Sequence, residues 1–87
     1  GGSVRKVKVK ICGITNLEDA LAAADLGADM LGFNFYEGSK RYVEPAVSAK
    51  IINDLDGRID PVGVFVNADI DTIKRTVEST ALTTVQL

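Results

Sequence analysis

Apolar side chains recur along the chain in two alternating patterns. Short runs rich in β-branched and aromatic residues predict strands at 7–11, 30–36, 61–66 and 82–87. Between these runs the apolar positions follow the spacing i, i+3, i+4 that one face of a helix produces. The predicted order is therefore βαβαβαβ. Strands that alternate with single helices indicate right-handed crossovers and a parallel sheet.

The first predicted helix has the clearest boundaries. Its apolar face consists of Leu17, Ala20, Leu21 and Ala24. Thr15 and Glu18 have the spacing of a capping box, in which each side chain bonds a free amide at the helix start. Gly27 follows the last apolar position and supplies the stop. The pattern predicts a helix between Thr15 and Gly27.

Two further helices are predicted in the second half of the chain. The second covers 45–55, with a proline in its first turn and Gly57 after its end. The third covers 69–81, with Asn67 or Asp69 as its cap. Their apolar faces are formed by Val47, Ile51 and Leu55 in the second helix and by Ile70, Ile73 and Val77 in the third.

Two architectures fit a βαβαβαβ pattern: an open doubly wound sheet, or part of a (βα)₈ barrel. The first strand has two unlike faces. One face carries Val7, Val9 and Ile11, and the other carries Lys8, Lys10 and Cys12. In a barrel the lysines point inward beneath a cysteine at the catalytic rim, whereas in an open sheet they face water on an edge strand. These residues alone leave both architectures open.

The length of the chain allows one domain. Its 87 residues, 46% of them hydrophobic, have the composition of a globular piece. The last predicted strand has no helix after it, and three and a half βα units fall short of a closed barrel, which takes about 250 residues. Residues 1–3, Gly-Gly-Ser, resemble a linker or tag remnant. We therefore expect 4–87 to form an incomplete barrel, completed by self-association.

The distribution of charge and the cysteine content limit which binding partners and which cell compartment we expect. The 10 basic and 12 acidic residues are mixed along the chain, which gives no electrostatic footprint for nucleic acid or an anionic membrane. A single cysteine forms no internal disulfide, which fits the cytoplasm. The sequence has no apolar run of the roughly 18 residues that cross a bilayer. We expect a cytoplasmic protein that binds neither nucleic acid nor membrane.

Cys12 lies where the first strand turns into a glycine, at the carboxyl end of a parallel strand. Parallel α/β folds place their chemistry at this edge, and a thiolate there is a competent base. The ammonium of Lys10 on the same face and the amides that open the helix after Thr15 both favour the thiolate. The alternative is that Cys12 is a small buried apolar side chain, as most free cysteines are.

Several motifs resemble one enzyme family. They are K-x-C-G-I-T at 10–15, S-K-R-Y at 39–42, VGVFVN at 62–67 and the terminal TTVQL. In combination and spacing they closely resemble the N-terminal part of the phosphoribosylanthranilate isomerases of tryptophan biosynthesis. The resemblance implies a (βα)₈ barrel that catalyses an Amadori rearrangement of a phosphosugar without metal or organic cofactor.

The resemblance assigns roles to two residues. Cys12 matches the cysteine that takes a proton from C2 of the sugar, after a general acid has opened the ring to an imine. Arg41 matches the arginine that contacts the anthranilate carboxylate, a task suited to the guanidinium fork. Asn34, Asn67 and Gln86 also stand at predicted strand ends, but such residues are more often caps or rim contacts, and we assign them no role.

The resemblance also implies parts that these 87 residues do not include. The family's general acid, an aspartate, and its phosphate-binding loops belong to the second half of the barrel. We therefore expect the isolated chain to be inactive or nearly so. Two alternatives remain open: a non-catalytic, self-associating half-barrel scaffold, or one chain of an enzyme split into two polypeptides.

Overall fold

Four strands and three helices alternate along residues 7–87, the part of the chain that the computed structural model describes. The strands are β1 (Lys10–Cys12), β2 (Met30–Asn34), β3 (Asp60–Val64) and β4 (Thr84–Gln86). The helices are α1 (Leu17–Asp25), α2 (Pro45–Leu55) and α3 (Ile70–Thr80). The predicted βαβαβαβ order is confirmed. The prediction that 1–3 are a linker lies outside the described residues.

The strands form one parallel sheet in the order β1-β2-β3-β4. An open doubly wound sheet reverses its direction at a switch point, and this sheet does not reverse. Crossovers of one hand that always advance in one direction place their helices on one side of the sheet. Accordingly α1 contacts α2, and α2 contacts α3. The arrangement is that of a barrel wall, which confirms the barrel prediction over the open sheet.

The core lies between the sheet and the helices. Leu31 and Phe33 on β2 are 0% exposed and face this core. They pack with the buried residues Ala20, Ala23, Ile51 and Leu55 of α1 and α2. Because side chains alternate along a strand, the intervening positions point to the opposite side of the sheet. We call that side the open face, and it carries Lys10, Cys12, Asn34 and Gln86.

The strands are shorter than predicted, most of all the first. The prediction of a strand over 7–11 is wrong at both ends, since β1 begins at Lys10, where pairing with Met30 begins, and includes Cys12. Before that point the Val9 amide donates to the Asp29 carboxylate at 2.8 Å, outside the regular ladder. Phe35 likewise follows the end of β2. The apolar runs predicted that the strands exist, but not their bounds, which depend on where the neighbouring strand pairs with them.

Helix bounds agree closely with the predictions, and α2 agrees at both ends. The predicted cap of α1 is wrong by one residue. Asn16, not Thr15, has the extended backbone of a cap, and its Oδ1 accepts a hydrogen bond from the Asp19 amide at 2.8 Å. Asp69 is the cap of α3, one of the two residues predicted for it, and accepts a bond from the Thr72 amide.

The buried face of α3 differs from its predicted apolar face. Ile70 is 69% exposed, whereas Thr76 and Thr80 are buried. The Thr76 hydroxyl donates to the Thr72 carbonyl at 2.9 Å, and the Thr80 hydroxyl donates to the Thr76 carbonyl at 2.5 Å. These bonds satisfy the hydroxyls inside the helix, so both threonines are buried without an unpaired polar group. The α2 face shows a smaller deviation at Val47, which is 44% exposed.

Candidate active site

Cys12 is the last residue of β1 and its side chain is exposed. The interpretation of Cys12 as a buried apolar residue is therefore wrong for this structure. Its register partner is Gly32 on β2. A Cβ atom built on Gly32 would lie 2.8 Å from Cys12 Sγ, closer than non-bonded atoms approach. The thiol thus lies directly over the bare α-carbon of Gly32, on the open face.

The turn after Cys12 is fixed by the same glycine on the neighbouring strand. The amides of Gly13 and Ile14 both donate to the Gly32 carbonyl, at 3.0 and 3.1 Å. Gly13 has φ +83°, a conformation that glycine adopts without steric cost. Since these amides are directed at Gly32, they do not solvate the thiol. The turn holds Cys12 at the carboxyl end of the sheet, as the sequence predicted.

Arg41 belongs to the β2–α2 loop, residues 35–44, and reaches the same turn. Its Cγ and Cβ atoms lie 3.2 and 3.4 Å from the position that a Cβ on Gly13 would occupy. The aliphatic part of the Arg41 side chain therefore packs on the α-carbon of Gly13, next to Cys12 in the chain. The structure brings together the two side chains that the sequence singled out.

Cys12 and Arg41 line one cavity of about 230 Å³. It lies beside β1, between α1 and the β2–α2 loop. Its remaining lining residues are Ile11, Gly13, Ile14, Asp19, Ala22, Ala23 and Leu26. Two of the lining residues carry groups with chemistry: a thiol, which as a thiolate can accept a proton, and a guanidinium, which can bind a carboxylate.

Lys10 crosses the open face instead of pairing with an acid. Its Nζ donates to Oε1 of Gln86 on β4, three strands away. A charged group inside a barrel needs a polar partner, and here a side-chain amide oxygen takes that role. Lys10 and Cys12 occupy the same face of β1, so the ammonium and the thiol share one side of the sheet.

A larger cavity of about 480 Å³ lies at the opposite edge, where β3 begins and α2 and α3 end. Asp56, Asp60 and Glu78 are among its lining residues, and Cys12 and Arg41 are not. No group of three acidic or sulfur ligands among residues 7–87 is arranged to hold a metal ion. Over the same residues, no helix is long and apolar enough to cross a membrane.

A parallel wall of βα units that advances in one direction, with its candidate site at the carboxyl edge, is the architecture of the (βα)₈-barrel enzymes. Within that class the chain belongs to the family described as N-(5'phosphoribosyl)anthranilate (PRA) isomerase, whose family model matches residues 9–87. All four motifs that carried the resemblance, from 10–15 to the terminal TTVQL, fall within the matched region. The family predicted from those motifs is confirmed.

Similar proteins agree with this family. An N-(5'-phosphoribosyl)anthranilate isomerase of Citrifermentans bemidjiense is 54% identical over 80 residues, which are 92% of this chain and 39% of that protein. The crystal structure of the phosphoribosyl anthranilate isomerase from Thermotoga maritima is 48% identical, with a TM-score of 0.91, over 94% of this chain and 40% of that one. The chain thus spans about two-fifths of these relatives.

A further crystal structure shows a ligand. It is a phosphoribosyl anthranilate isomerase in complex with reduced 1-(o-carboxyphenylamino)-1-deoxyribulose 5-phosphate. That protein is 48% identical to this chain with a TM-score of 0.91, over 94% of this chain and 42% of its own length.

Three residues that organise this site have no distinctive pattern in the sequence. Gly32 was counted only as part of an apolar strand, and Asn34 and Ser39 were given no separate role. The register of two strands reveals Gly32, which no pattern within one strand contains. Asn34 stands at a strand end, a position that indicates a contact, but only the folded loop shows that its partner is Ser39.

Proposed function

We propose that this chain supplies the general base and the carboxylate-binding arginine of a phosphoribosylanthranilate isomerase acting in tryptophan biosynthesis. The reaction converts N-(5-phosphoribosyl)anthranilate to 1-(2-carboxyphenylamino)-1-deoxyribulose 5-phosphate. The observation that carries the proposal is the shared cavity of Cys12 and Arg41 in a chain of this family. The ligand of the related crystal structure, a reduced form of this product, supports the substrate class.

Cys12 is the proposed base. Once a general acid has opened the ribose ring to the protonated imine, the thiolate removes the proton from C2. The electron pair of that C–H bond then forms the C1–C2 double bond of an enol, and the imine nitrogen is neutralised. Protonation at C1 and loss of the proton from the C2 hydroxyl then give the ketone. Hydrogen is only relocated in this sequence, so the proposal includes no redox cofactor and no metal.

Arg41 is the proposed binding group for the anthranilate carboxylate. Its fork can donate two parallel hydrogen bonds to the two carboxylate oxygens, which fixes the plane of the aromatic ring. The fixed ring in turn places the sugar relative to Cys12, and positioning of this kind accounts for a large part of enzymatic rate enhancement. A lysine at this position keeps the charge but loses the bidentate geometry.

The general acid and the phosphate site belong, in this proposal, to the remaining units of a barrel. A missing general acid alone costs roughly 10² to 10⁴-fold in rate, and a missing phosphate site removes binding energy that orients the substrate. We therefore expect the 87-residue polypeptide by itself to show no turnover above background. We also place the protein in the cytoplasm, on the strength of its single cysteine.

Complementation tests the proposal. The 87-residue chain is mixed with a polypeptide that carries the later βα units of the Thermotoga maritima relative, and consumption of phosphoribosylanthranilate, generated in place, is followed. We expect turnover only in the mixture, a loss of at least about 10²-fold for Cys12→Ala, and a raised KM for Arg41→Lys. Lys40→Ala, a change to the exposed neighbour of Arg41, is the control. Equal turnover by the original chain and Cys12→Ala would refute the role of Cys12.

A second candidate function is self-association without catalysis. Within residues 7–87, β1 and β4 each pair on one side only. Several apolar side chains near these strands are exposed, namely Val7, Val9, Val66, Val85 and Leu87. An unpaired strand edge with apolar neighbours favours pairing with another chain. Sedimentation velocity at micromolar concentration tests this candidate, which predicts dimers or larger species; a monomer at every concentration contradicts it.

A further inference from the structure

Two hydrogen bonds converge on one hydroxyl oxygen in the β2–α2 loop. The Asn34 side-chain amide, Nδ2, donates to Ser39 Oγ at 3.1 Å. The backbone amide of Arg41 donates to the same oxygen at 3.0 Å. A hydroxyl oxygen has two lone pairs, so it can accept both bonds at once. Asn34 is thereby linked through Ser39 to the backbone of Arg41.

The backbone of Asn34 holds the same loop at a second point. Its carbonyl accepts from the Val43 amide at 3.1 Å, and Asn34 forms an isolated parallel bridge with Tyr42. The chain therefore leaves β2 at Asn34, turns through the loop and returns to the residue from which it left. Arg41 lies on the returning side of this loop, one residue before the bridge.

The side chain of Arg41 is seated on the other side by the turn that follows Cys12. Its Cβ and Cγ atoms lie against the α-carbon of Gly13. Arg41 is thus fixed at its backbone through Ser39 and at its aliphatic stem by Gly13, while its residue as a whole is exposed. Both fixed points lie outside the guanidinium, which leaves all its donors available to a ligand.

We propose that Asn34, acting through Ser39, is a positioning residue that holds Arg41 over the Cys12 turn in the geometry that binds an aromatic carboxylate. The inference rests on the proposed function, because it assigns the carboxylate to Arg41. Without the bond from Asn34, the loop must be ordered when the ligand binds, and the entropy of that ordering weakens binding. In this proposal Asn34 acts only through Ser39, to which its side-chain amide donates.

The test uses the 87-residue chain, labelled for NMR and titrated with anthranilate as the probe. We expect Asn34→Ala and Ser39→Ala each to weaken anthranilate binding, by roughly 2- to 10-fold. The double variant should be no weaker than either single one, since both remove the same link. Asn34→Asp should bind as the original chain does, because its carboxylate can accept from the Ser39 hydroxyl. Lys40→Ala is the matched control.

A second readout does not depend on the ligand. The nuclear Overhauser contact between the Arg41 side chain and the Gly13 α-protons should be strong in the original chain and in Asn34→Asp. It should be weak in Asn34→Ala and Ser39→Ala, while their remaining spectra show an intact fold. Unchanged contacts and unchanged anthranilate affinity in both alanine variants would overturn the inference. If the original chain keeps the contact but does not bind anthranilate, the proposed role of Arg41 fails, and the contact still decides the role of Asn34.

The complemented enzyme provides a third readout. A residue that only stabilised the fold would lower the amount of active enzyme and leave KM unchanged. A positioning residue for the carboxylate group changes KM. We expect Asn34→Ala to raise KM for phosphoribosylanthranilate by a similar factor and Asn34→Asp to restore it. A fall in kcat at unchanged KM would contradict the inference.

Discussion

At the scale of single residues, Gly32 does more for the site than its place in an apolar strand suggests. Its carbonyl holds the amides of Gly13 and Ile14, and its bare α-carbon leaves the space that Cys12 Sγ occupies. A methyl group there would also meet the Cys12 α-carbon, at 3.1 Å. The backbone of Cys12 cannot move away without breaking the pairing of β1 with β2.

We predict that Gly32→Ala destabilises the fold by about 1–3 kcal/mol, the usual cost of overpacking, and displaces the Cys12 thiol. Urea unfolding measures the first effect, and the rate at which iodoacetamide alkylates Cys12 in the folded chain measures the second. Gly38→Ala is the control, because nothing lies within 4 Å of a Cβ built there. A Gly32→Ala chain with unchanged stability and alkylation rate would contradict this prediction, since it would show that β1 and β2 accommodate the methyl group without loss of stability.

At the scale of secondary-structure elements, two neighbouring residues at the start of α1 differ in what they contribute to the helix. Asn16 accepts from the Asp19 amide, whereas Thr15 precedes the cap. We predict that Asn16→Ala costs about 1 kcal/mol, since it leaves an amide of the first turn without its partner. Thr15→Ala should stay within about 0.5 kcal/mol of the original chain. Thermal unfolding of both variants decides between them, and a larger loss for Thr15→Ala would restore the capping box predicted from the sequence.

The start of α3 makes stability depend on pH. The hydrogen bonds from Thr72, first from its backbone and then from its side chain, lower the pKa of the Asp69 carboxyl below 3.8. A lowered pKa means that the folded chain favours the charged form. This contribution to stability is therefore complete above the unfolded value of 3.8 and is lost as pH falls through the lower folded value.

We predict that Asp69→Asn keeps the cap but removes this part of the acid dependence. An asparagine side chain still accepts the bond from the Thr72 amide and does not titrate. Urea midpoints should be close for the two chains at neutral pH, and those of the original chain should fall more steeply as the pH falls below 3.8. Asp71→Asn, a change in the same first turn, is the control. If the urea midpoints of all three chains fell equally with decreasing pH, the prediction would be contradicted.

At the scale of the whole molecule, most of the fold was predictable and part of the site was not. Helix α2 was predicted at both ends because local propensity and Pro45 determine it. The length of β1 was not, since it depends on where Met30 begins to pair. Cys12 and Arg41 were found through their motifs, and their catalytic and binding roles stay predictions. The link from Asn34 to Ser39 was missed, because it exists only once the loop has folded back.

Phe33 lies in the core cluster that β2 shares with α1 and α2, so a large cavity there should weaken the fold as a whole. Phe33 is 0% exposed, and Phe33→Ala should cost about 3–5 kcal/mol. The total stability of a chain of this length is roughly 4 to 13 kcal/mol at ~0.05–0.15 kcal/mol per residue. We predict that circular dichroism shows the variant melting well below the original chain. Leu26→Ala, a change at an 83% exposed residue, should melt as the original chain does.

The strand order β1-β2-β3-β4 has a consequence for biosynthesis on the ribosome. Every strand pairs only with the strands that precede and follow it in the chain, so no strand has to wait for a later segment to be inserted beside it. Domains fold from the amino terminus while synthesis continues at about 5–20 residues per second. Each newly emerged strand can therefore add to the last edge formed, and the wall can grow at the pace of translation.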